Sequence, residues 1–296
     1  MNKLVLIDGN AILHRAFHAL PPLTTRTGEP INAVYGLVSM LLRVITDLKP
    51  THLAVAFDRP EPTFRHKAFK QYQAQRPATA NELVSQFAKA RRVVEALGIP
   101  VYDKAGFEAD DVIGTISTVV KEDVVIVTGD RDQLQLVNSR VKVYMPILGL
   151  ANAKLMGEEE VRQKMGVPPN LIDDYKALVG DPSDNYPGVP GIGPKTAISL
   201  LEKYGTLDNI YKNLKEIPAA TAEKLTKGRK YSEISKKLAT IVRDVPIGFK
   251  IEEAAKWDVD SQKVLDLFAE FGFKTLTERV KKVGRQLDAE KQMPLI

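Results

Sequence analysis

Short apolar runs punctuate the first half of the chain: KLVLI at 3–7, HLAVAF at 52–57, IPVY at 99–102, DVVIVT at 123–128 and VKVYM at 141–145. Their length and composition predict strands. Between them apolar positions recur at helical spacing over 33–48, 82–97 and 108–121. Strands alternating with helices imply a mostly parallel sheet covered by helices. After about residue 157 the strands stop, and helical patterns follow at 158–165, 170–178, 195–203, 207–213, 219–227, 231–242 and 262–271. The expected organisation is an α/β core over 1–170, a helical part over 171–285 and a tail over 286–296.

Composition narrows the function class. The 296 residues are 44% hydrophobic and 27% charged, the profile of an ordinary globular chain. Net charge is +5 although 37 residues are acidic, which implies segregated patches and suits a polyanionic partner. The absence of cysteine excludes disulfides, thiolate metal sites and a cysteine nucleophile. The apolar run near the N-terminus is too short for a signal peptide or a membrane span, so a cytoplasmic, unexported protein is expected.

The acidic residues are not scattered. In GFEADDVIGT, Glu108, Asp110 and Asp111 crowd the first turn of a helical pattern. One acidic residue there complements the helix dipole, but three repel one another and gain from a cation between them. Asp8 follows KLVLI, Asp58 follows HLAVAF, and Asp130 and Asp132 follow DVVIVT, all just past strand C-terminal ends, where open parallel sheets bind ligands. Asp181 and Asp184 form a further pair in GDPSDNYPGV. Singly such aspartates form turns; jointly they predict one shared metal site. Oxygen ligands without His or Cys favour Mg²⁺ or Mn²⁺, two or more ions, and two-metal phosphoryl chemistry. Asp173 and Asp174, on a helical pattern without that context, are expected to be solvated. A phosphate loop of the GxxxxGK[ST] type is absent.

In VPGIGPKTAISLL, 189–201, Gly191 and Gly193 allow a tight turn between helical segments, and Pro194 and Lys195 open the next helix, whose N-terminus attracts phosphate. This is the pattern of a helix-hairpin-helix, a grip on the nucleic acid backbone.

The motifs LIDGN, PPLTTRTGEPINAVYG, AFDRPEPTFR, GFEADD, VTGDRDQLQL and GDPSDNYPGVPGIGPKTA, in this order, resemble the 5′ nuclease domain of bacterial DNA polymerase I, of the flap endonuclease family, over roughly 2–285. The resemblance implies a PIN-like α/β nuclease core with a helical helix-hairpin-helix part. It implies a metal-dependent 5′-3′ exonuclease and flap endonuclease acting on 5′ flaps, nicked or gapped duplexes and RNA primers in replication and repair.

 By match to its motifs, Asp8, Asp58, Glu108, Asp110 and Asp111 would serve a first metal cluster, and Asp130, Asp132, Asp181 and Asp184 a second. The basic stretch 64–76 lies where the family has its arch, near 64–80. His14, Arg15, Tyr35, Arg65, Lys67, Lys70, Tyr72, Gln73 and Arg76 would contact DNA there and nearby, and Gly191, Gly193, Lys195 and Thr196 at the hairpin, with a bound K⁺.

The chain departs from the family pattern at two positions. Gln73 stands where many relatives carry a lysine after the arch tyrosine, and His14 where many carry a stacking tyrosine. Lys70, one helical turn from Gln73, is the expected catalytic substitute. Two rivals are a PIN-like ribonuclease, which has no need of the hairpin, and a DNA-structure-binding protein with weak catalysis, which has no need of the carboxylates. No polymerase follows residue 296, so the chain is expected to be either a domain of a longer polymerase or a free-standing, monomeric nuclease. Its last residues, QMPLI at 292–296, are similar to the short peptides that dock on a sliding clamp.

Overall fold

The computed structural model describes residues 2–148 and 152–292. Strand β1 (Lys3–Asp8) is followed by helices α1 (Gly9–Ala19) and α2 (Asn32–Leu48), then β2 (His52–Ala56), α3 (Phe64–Ala68), α4 (Asn81–Ala96), β3 (Val101–Tyr102), α5 (Ala109–Val119), β4 (Asp123–Val127), β5 (Val141–Leu148) and β6 (Asn152–Met156). Helices α6 (Glu158–Met165), α7 (Ile172–Val179), α8 (Pro194–Tyr204), α9 (Leu207–Lys212), α10 (Ala219–Ala239), α11 (Gln262–Phe271) and α12 (Lys274–Gln292) complete the chain. Among the described residues, no helix is long and apolar enough to cross a membrane.

The strands form one sheet in the order β3-β2-β1-β4-β5-β6. Neighbours from β3 to β5 pair in parallel, and β6 runs antiparallel to β5. The five expected strands are present. β6 is an addition: its residues are mostly solvent-facing, so NAKLM carries no apolar run to reveal it. Side chains on the two faces of β1 enter different cores. Leu4 and Leu6 pack with α5 and the helices after α6, whereas Val5 and Ile7 pack with α1, α2 and α4.

Three expectations are corrected. The helices expected at 219–227 and 231–242 are one continuous helix, α10; Gly228 does not interrupt it because Val189 and Pro190 press against that point, where a Cβ would lie 2.7 Å from Val189. The helical part does not stay together over 171–285: Val264, Phe268, Phe271, Leu276 and Val280 return to the core beneath α2 and α4. Helix α12 also runs through the expected tail boundary at 286.

Candidate metal centre and nucleic-acid surface

From β1 the chain moves to β2 and β3 on one side, then crosses to β4 and β5 on the other. The strand order therefore reverses between β1 and β4, and the crevice outside their C-terminal ends is where such sheets take ligands. A cavity of about 920 Å³ opens there, lined by Asp8, Asp58, Glu108, Asp110, Asp130, Asp132 and Asp184.

The first group is rigidly held. Asp8 ends β1 and caps α1, accepting from the Ala11 N–H at 2.9 Å; its other oxygen accepts from the Thr128 hydroxyl at 2.8 Å. Asp58 accepts from the Ala109 N–H at 2.7 Å, which ties the end of β2 to the start of α5. Gln133 spans Asp8 and Asp110 with its amide nitrogen, at 3.1 and 2.7 Å, and its own carbonyl oxygen is buried without a partner. Burial pushes Asp8 up to about 7, with Asp58 and Asp130 adding repulsion, and Glu108 up to about 7, with Asp111 and Asp58 adding to it against the pull of Arg65. Asp110 is raised by burial and by Asp130, Asp8 and Glu108, and Asp58 is raised by burial. A set of oxygen donors that resists ionisation when alone matches the needs of a hard divalent cation.

The second group comprises Asp132, Asp181 and Asp184, whose oxygens come within 4.8 Å of one another. A tight hairpin places the last two. Gly180 and Gly188, at φ +76° and +63°, bring their backbones together so closely that a Cβ on Gly188 would lie 2.2 Å from the Gly180 nitrogen. Asp130 stands between the two groups: its charge acts on Asp8, Asp110 and Asp132, and its carboxylate accepts from the Asp132 N–H at 2.8 Å. The Lys176 ammonium, on α7, lies between Asp132 and Asp181, donating to both, at 2.6 Å to Asp181. The pair holds Lys176 charged: burial works against the ammonium, but Asp132, Tyr186 and Asp181 outweigh it. Asp181 is lowered despite burial by Lys176 and Ser183. The Tyr186 hydroxyl, close enough to feel these charges, is buried without a partner. Three converging carboxylates, a cation already between two of them and an unpartnered hydroxyl fit a metal group.

Several assigned residues stand elsewhere. Asp111 is fully buried and faces away from the cavity, accepting from Arg65 at 2.7 and 2.8 Å and from the Glu108 and Val242 N–H groups. Its oxygens are taken, which removes it from the metal set. Arg65 is 2% exposed and also donates to the Leu238 and Thr240 carbonyls, so it is a core tie and no phosphate contact. Tyr72 is buried too, its hydroxyl near Glu108 and Asp184 at 3.3 and 3.4 Å, and offers no open stacking face. Asp174 is not solvated, being buried with Lys236 donating to it at 2.5 Å, whereas Asp173 is half-buried and accepts from Thr240 at 3.0 Å.

The stretch after α3 folds against the Asp184 hairpin in turns, not as a helix. Gln73 has φ +55°; its N–H donates to the Asp184 carbonyl at 2.9 Å and its amide to the Asp184 carboxylate at 3.3 Å. Lys70 is exposed and absent from the cavity lining, as is Lys67, so the expected substitution of Lys70 for a lysine at position 73 is not what this geometry offers. Arg59, Arg65 and Arg76 do line the cavity, and of these Arg76 reaches Asp184, at 2.5 Å. His14 lines the cavity beside Asp58, edge-on to Phe87 at 6.1 Å, and burial lowers its pKa. Arg15 is half-buried on α1, and Tyr35 packs edge-on against Phe273 at 5.5 Å. At the hairpin Gly191, Gly193 and Lys195 are exposed, Thr196 is half-buried, and Gly191 takes φ +81°.

Lys176 and Gln133 were not singled out by sequence. Lys176 had a signal: Ile172, Tyr175, Lys176 and Val179 fall at i, i+3, i+4 and i+7, so a lysine occupies an inward position and requires a partner.

Comparison with known proteins agrees with this arrangement. A family model described as the 5′-3′ exonuclease N-terminal resolvase-like domain matches residues 3–166, and one described as the 5′-3′ exonuclease C-terminal SAM fold matches 167–262. The chain is 41% identical to DNA polymerase I of Bacillus caldotenax over 99% of its own length but 33% of that protein's, so it spans about a third of the polymerases it matches. It is 38% identical to a 5′-3′ exonuclease of Aquifex aeolicus, over 97% of this chain and 98% of that one. The D15 protein of bacteriophage T5, crystallised with metal ions, shares the fold with a TM-score of 0.65 at 18% identity, covering 95% of this chain and 98% of that one. The catalytic core of Rad2 in complex with DNA substrate gives 0.59 at 15%, covering 95% and 93%. A switch-point cavity lined with carboxylates, followed by a hairpin and a helical domain, is thus matched in sequence over nearly the whole chain, and the protein belongs to the 5′-3′ exonuclease family.

Proposed function

We propose that the chain hydrolyses phosphodiesters in DNA at junctions of single strand and duplex, as a Mg²⁺- or Mn²⁺-dependent 5′-3′ exonuclease and 5′ flap endonuclease. The observation that carries this reading is the gathering of Asp8, Asp58, Glu108, Asp110, Asp130, Asp132 and Asp184 around one cavity at the switch point, with Asp181 converging on Asp132 and Asp184. Asp8, Asp58, Glu108 and Asp110 would hold one divalent ion and Asp132, Asp181 and Asp184 another, with Asp130 between them. Bound ions of this kind supply Lewis acidity toward the phosphodiester and its attacking water. Gln133 and Thr128 fix the orientation of Asp8, and Ala109 that of Asp58, so that the donors are held before substrate arrives. Arg76 offers a fixed positive charge to the phosphate once it leaves Asp184.

The exposed hairpin at 190–195 and the start of α8 would grip the duplex backbone, with K⁺ at the turn, while His14, Arg15, Lys67 and Lys70 border the single strand. Backbone contacts of this kind bind without reading sequence. The peptide QMPLI is a candidate clamp ligand; residues 293–296 lie outside the described residues. A 5′-labelled flap duplex tests the reading. Cleavage at the junction with Mg²⁺, none with chelator, and none from Asp132→Ala that still binds the flap are expected; chelator-resistant cleavage would overturn it.

A further inference from the structure

We infer that the Lys176 ammonium is a tethered counter-cation of the second carboxylate group, holding Asp132 and Asp181 together until a divalent ion displaces it and thereby weakening that group's affinity for metal. Resting on the metal-dependent reading above, this adds a positioning residue that governs occupancy of one group without touching the other.

The geometry supports displacement over co-residence. Lys176 is 7% exposed and donates to both Asp132 and Asp181, occupying the space between two of the three oxygens that converge. A divalent ion bridging the same oxygens would meet a like charge at ligand distance, which no buried site tolerates without cost. The ammonium is also unlike the other cations nearby. Arg76 reaches Asp184 from a half-exposed side chain on the strap after α3, whereas Lys176 comes from α7 and is walled in. Tyr186 is the neighbour with capacity to spare, its buried hydroxyl having no partner. In the first group Arg65 touches Glu108 at 3.2 Å from a guanidinium already held by Asp111 and the Leu238 and Thr240 carbonyls, while Asp8, Asp58 and Asp110 accept from backbone N–H groups, Thr128 and Gln133. Asymmetric affinity follows, with the first group filled at lower metal concentration.

The test is Mn²⁺ binding to the DNA-free full chain at pH 8, by calorimetry and by electron paramagnetic resonance, in wild type, Lys176→Met, Asp8→Asn and Asp132→Asn. The two aspartate variants identify which binding step belongs to which group. In Lys176→Met the Asp132-dependent step is expected to tighten tenfold or more, about 1.4 kcal/mol, while the Asp8-dependent step stays. A merely structural lysine would loosen both steps or neither. An unchanged or weakened Asp132-dependent step overturns the inference and leaves the metal reading intact. Absence of any carboxylate-dependent Mn²⁺ binding overturns both. If Lys176→Met does not fold, the native chain answers: the ¹⁵N signal of the Lys176 ammonium, assigned from Lys176→Arg, is expected to lose its ion-pair shift on saturation with Mg²⁺, and a signal that stays put overturns the inference.

Discussion

Arg65→Met separates a structural pin from a DNA contact. The guanidinium joins three segments: α3, from which it projects; the start of α5, through Asp111 and a 3.2 Å contact with Glu108; and the end of α10, through the Leu238 and Thr240 carbonyls. Removing one partner of a buried pair strands the other, at about 3 to 5 kcal/mol. At roughly 2 to 4 °C per kcal/mol for a protein of this size, the melting temperature should fall by about 6 to 20 °C. Calorimetry at pH 7.5 with and without Mg²⁺ reads this directly. Adding Asp111→Asn to Arg65→Met should recover part of the loss, because the stranded charge is gone and the amide oxygen can still accept a backbone N–H.

Flap binding supplies the opposing measurement. A surface arginine on a phosphate contributes roughly 0.9 to the slope of log affinity against log salt, whereas a buried one contributes nothing. The same slope for Arg65→Met and wild type, measured on protein kept below its lowered melting temperature, is the expected result. Wild-type stability combined with a shallower slope would refute the buried-pin account.

Other outcomes follow from the site. Single-turnover cleavage by Arg76→Ala should fall tenfold or more, about 1.4 kcal/mol in barrier, while Lys70→Ala at saturating enzyme should cleave as wild type; the reverse pattern would restore Lys70. Lys195→Ala should weaken duplex binding equally for AT-rich and GC-rich flaps, as measured by fluorescence anisotropy. Without metal, stability should fall as pH rises from about 5 to 7.5: Asp8 and Glu108 are raised to about 7, so the native state holds protons that the unfolded chain has already released. One such group alone gives a slope near 1.4 kcal/mol per pH unit, and added Mg²⁺ should flatten it, which thermal denaturation across that range will show.

The parallel sheet was legible because buried strands read as continuous apolar runs, and the carboxylates because the same sheet forces their strand-end positions. What escaped was polar. Strand β6 is mostly solvent-facing, and α12, KTLTERVKKVGRQLDAEKQ, inserts only a few apolar residues into the core. Asp111 and Arg65 were misassigned for a different reason. Within GFEADD, adjacent aspartates on a helix point about 100° apart, so Asp110 and Asp111 cannot both face one cavity, and an arginine in a basic run gives no sign that a carboxylate waits inside. Tertiary pairing decided both.

The two carboxylate groups solve the same electrostatic problem by different means, and the difference traces to where their residues sit. Asp8, Asp58, Glu108 and Asp110 come from strand ends and a helix start, where Asp8, Asp58 and Asp110 accept from backbone N–H groups and neutral side chains and Arg65 reaches Glu108 at 3.2 Å; without metal, protons are the main relief, and burial raises Asp8 and Glu108 accordingly. Asp132, Asp181 and Asp184 come from loops beside α7 and the strap, and there the chain's own cations reach in, Lys176 between the first two and Arg76 on the third. Proton relief depends on pH and tethered relief on side-chain displacement. Filling the first group should therefore release protons near neutral pH, while filling the second should release one from Asp132, which burial pushes up to about 7 despite Lys176, and should also move α7's lysine and loosen the strap that Arg76 and Gln73 fasten to Asp184. The strap borders the path to the cavity, so metal entry at the second group and admission of a DNA strand draw on the same contacts.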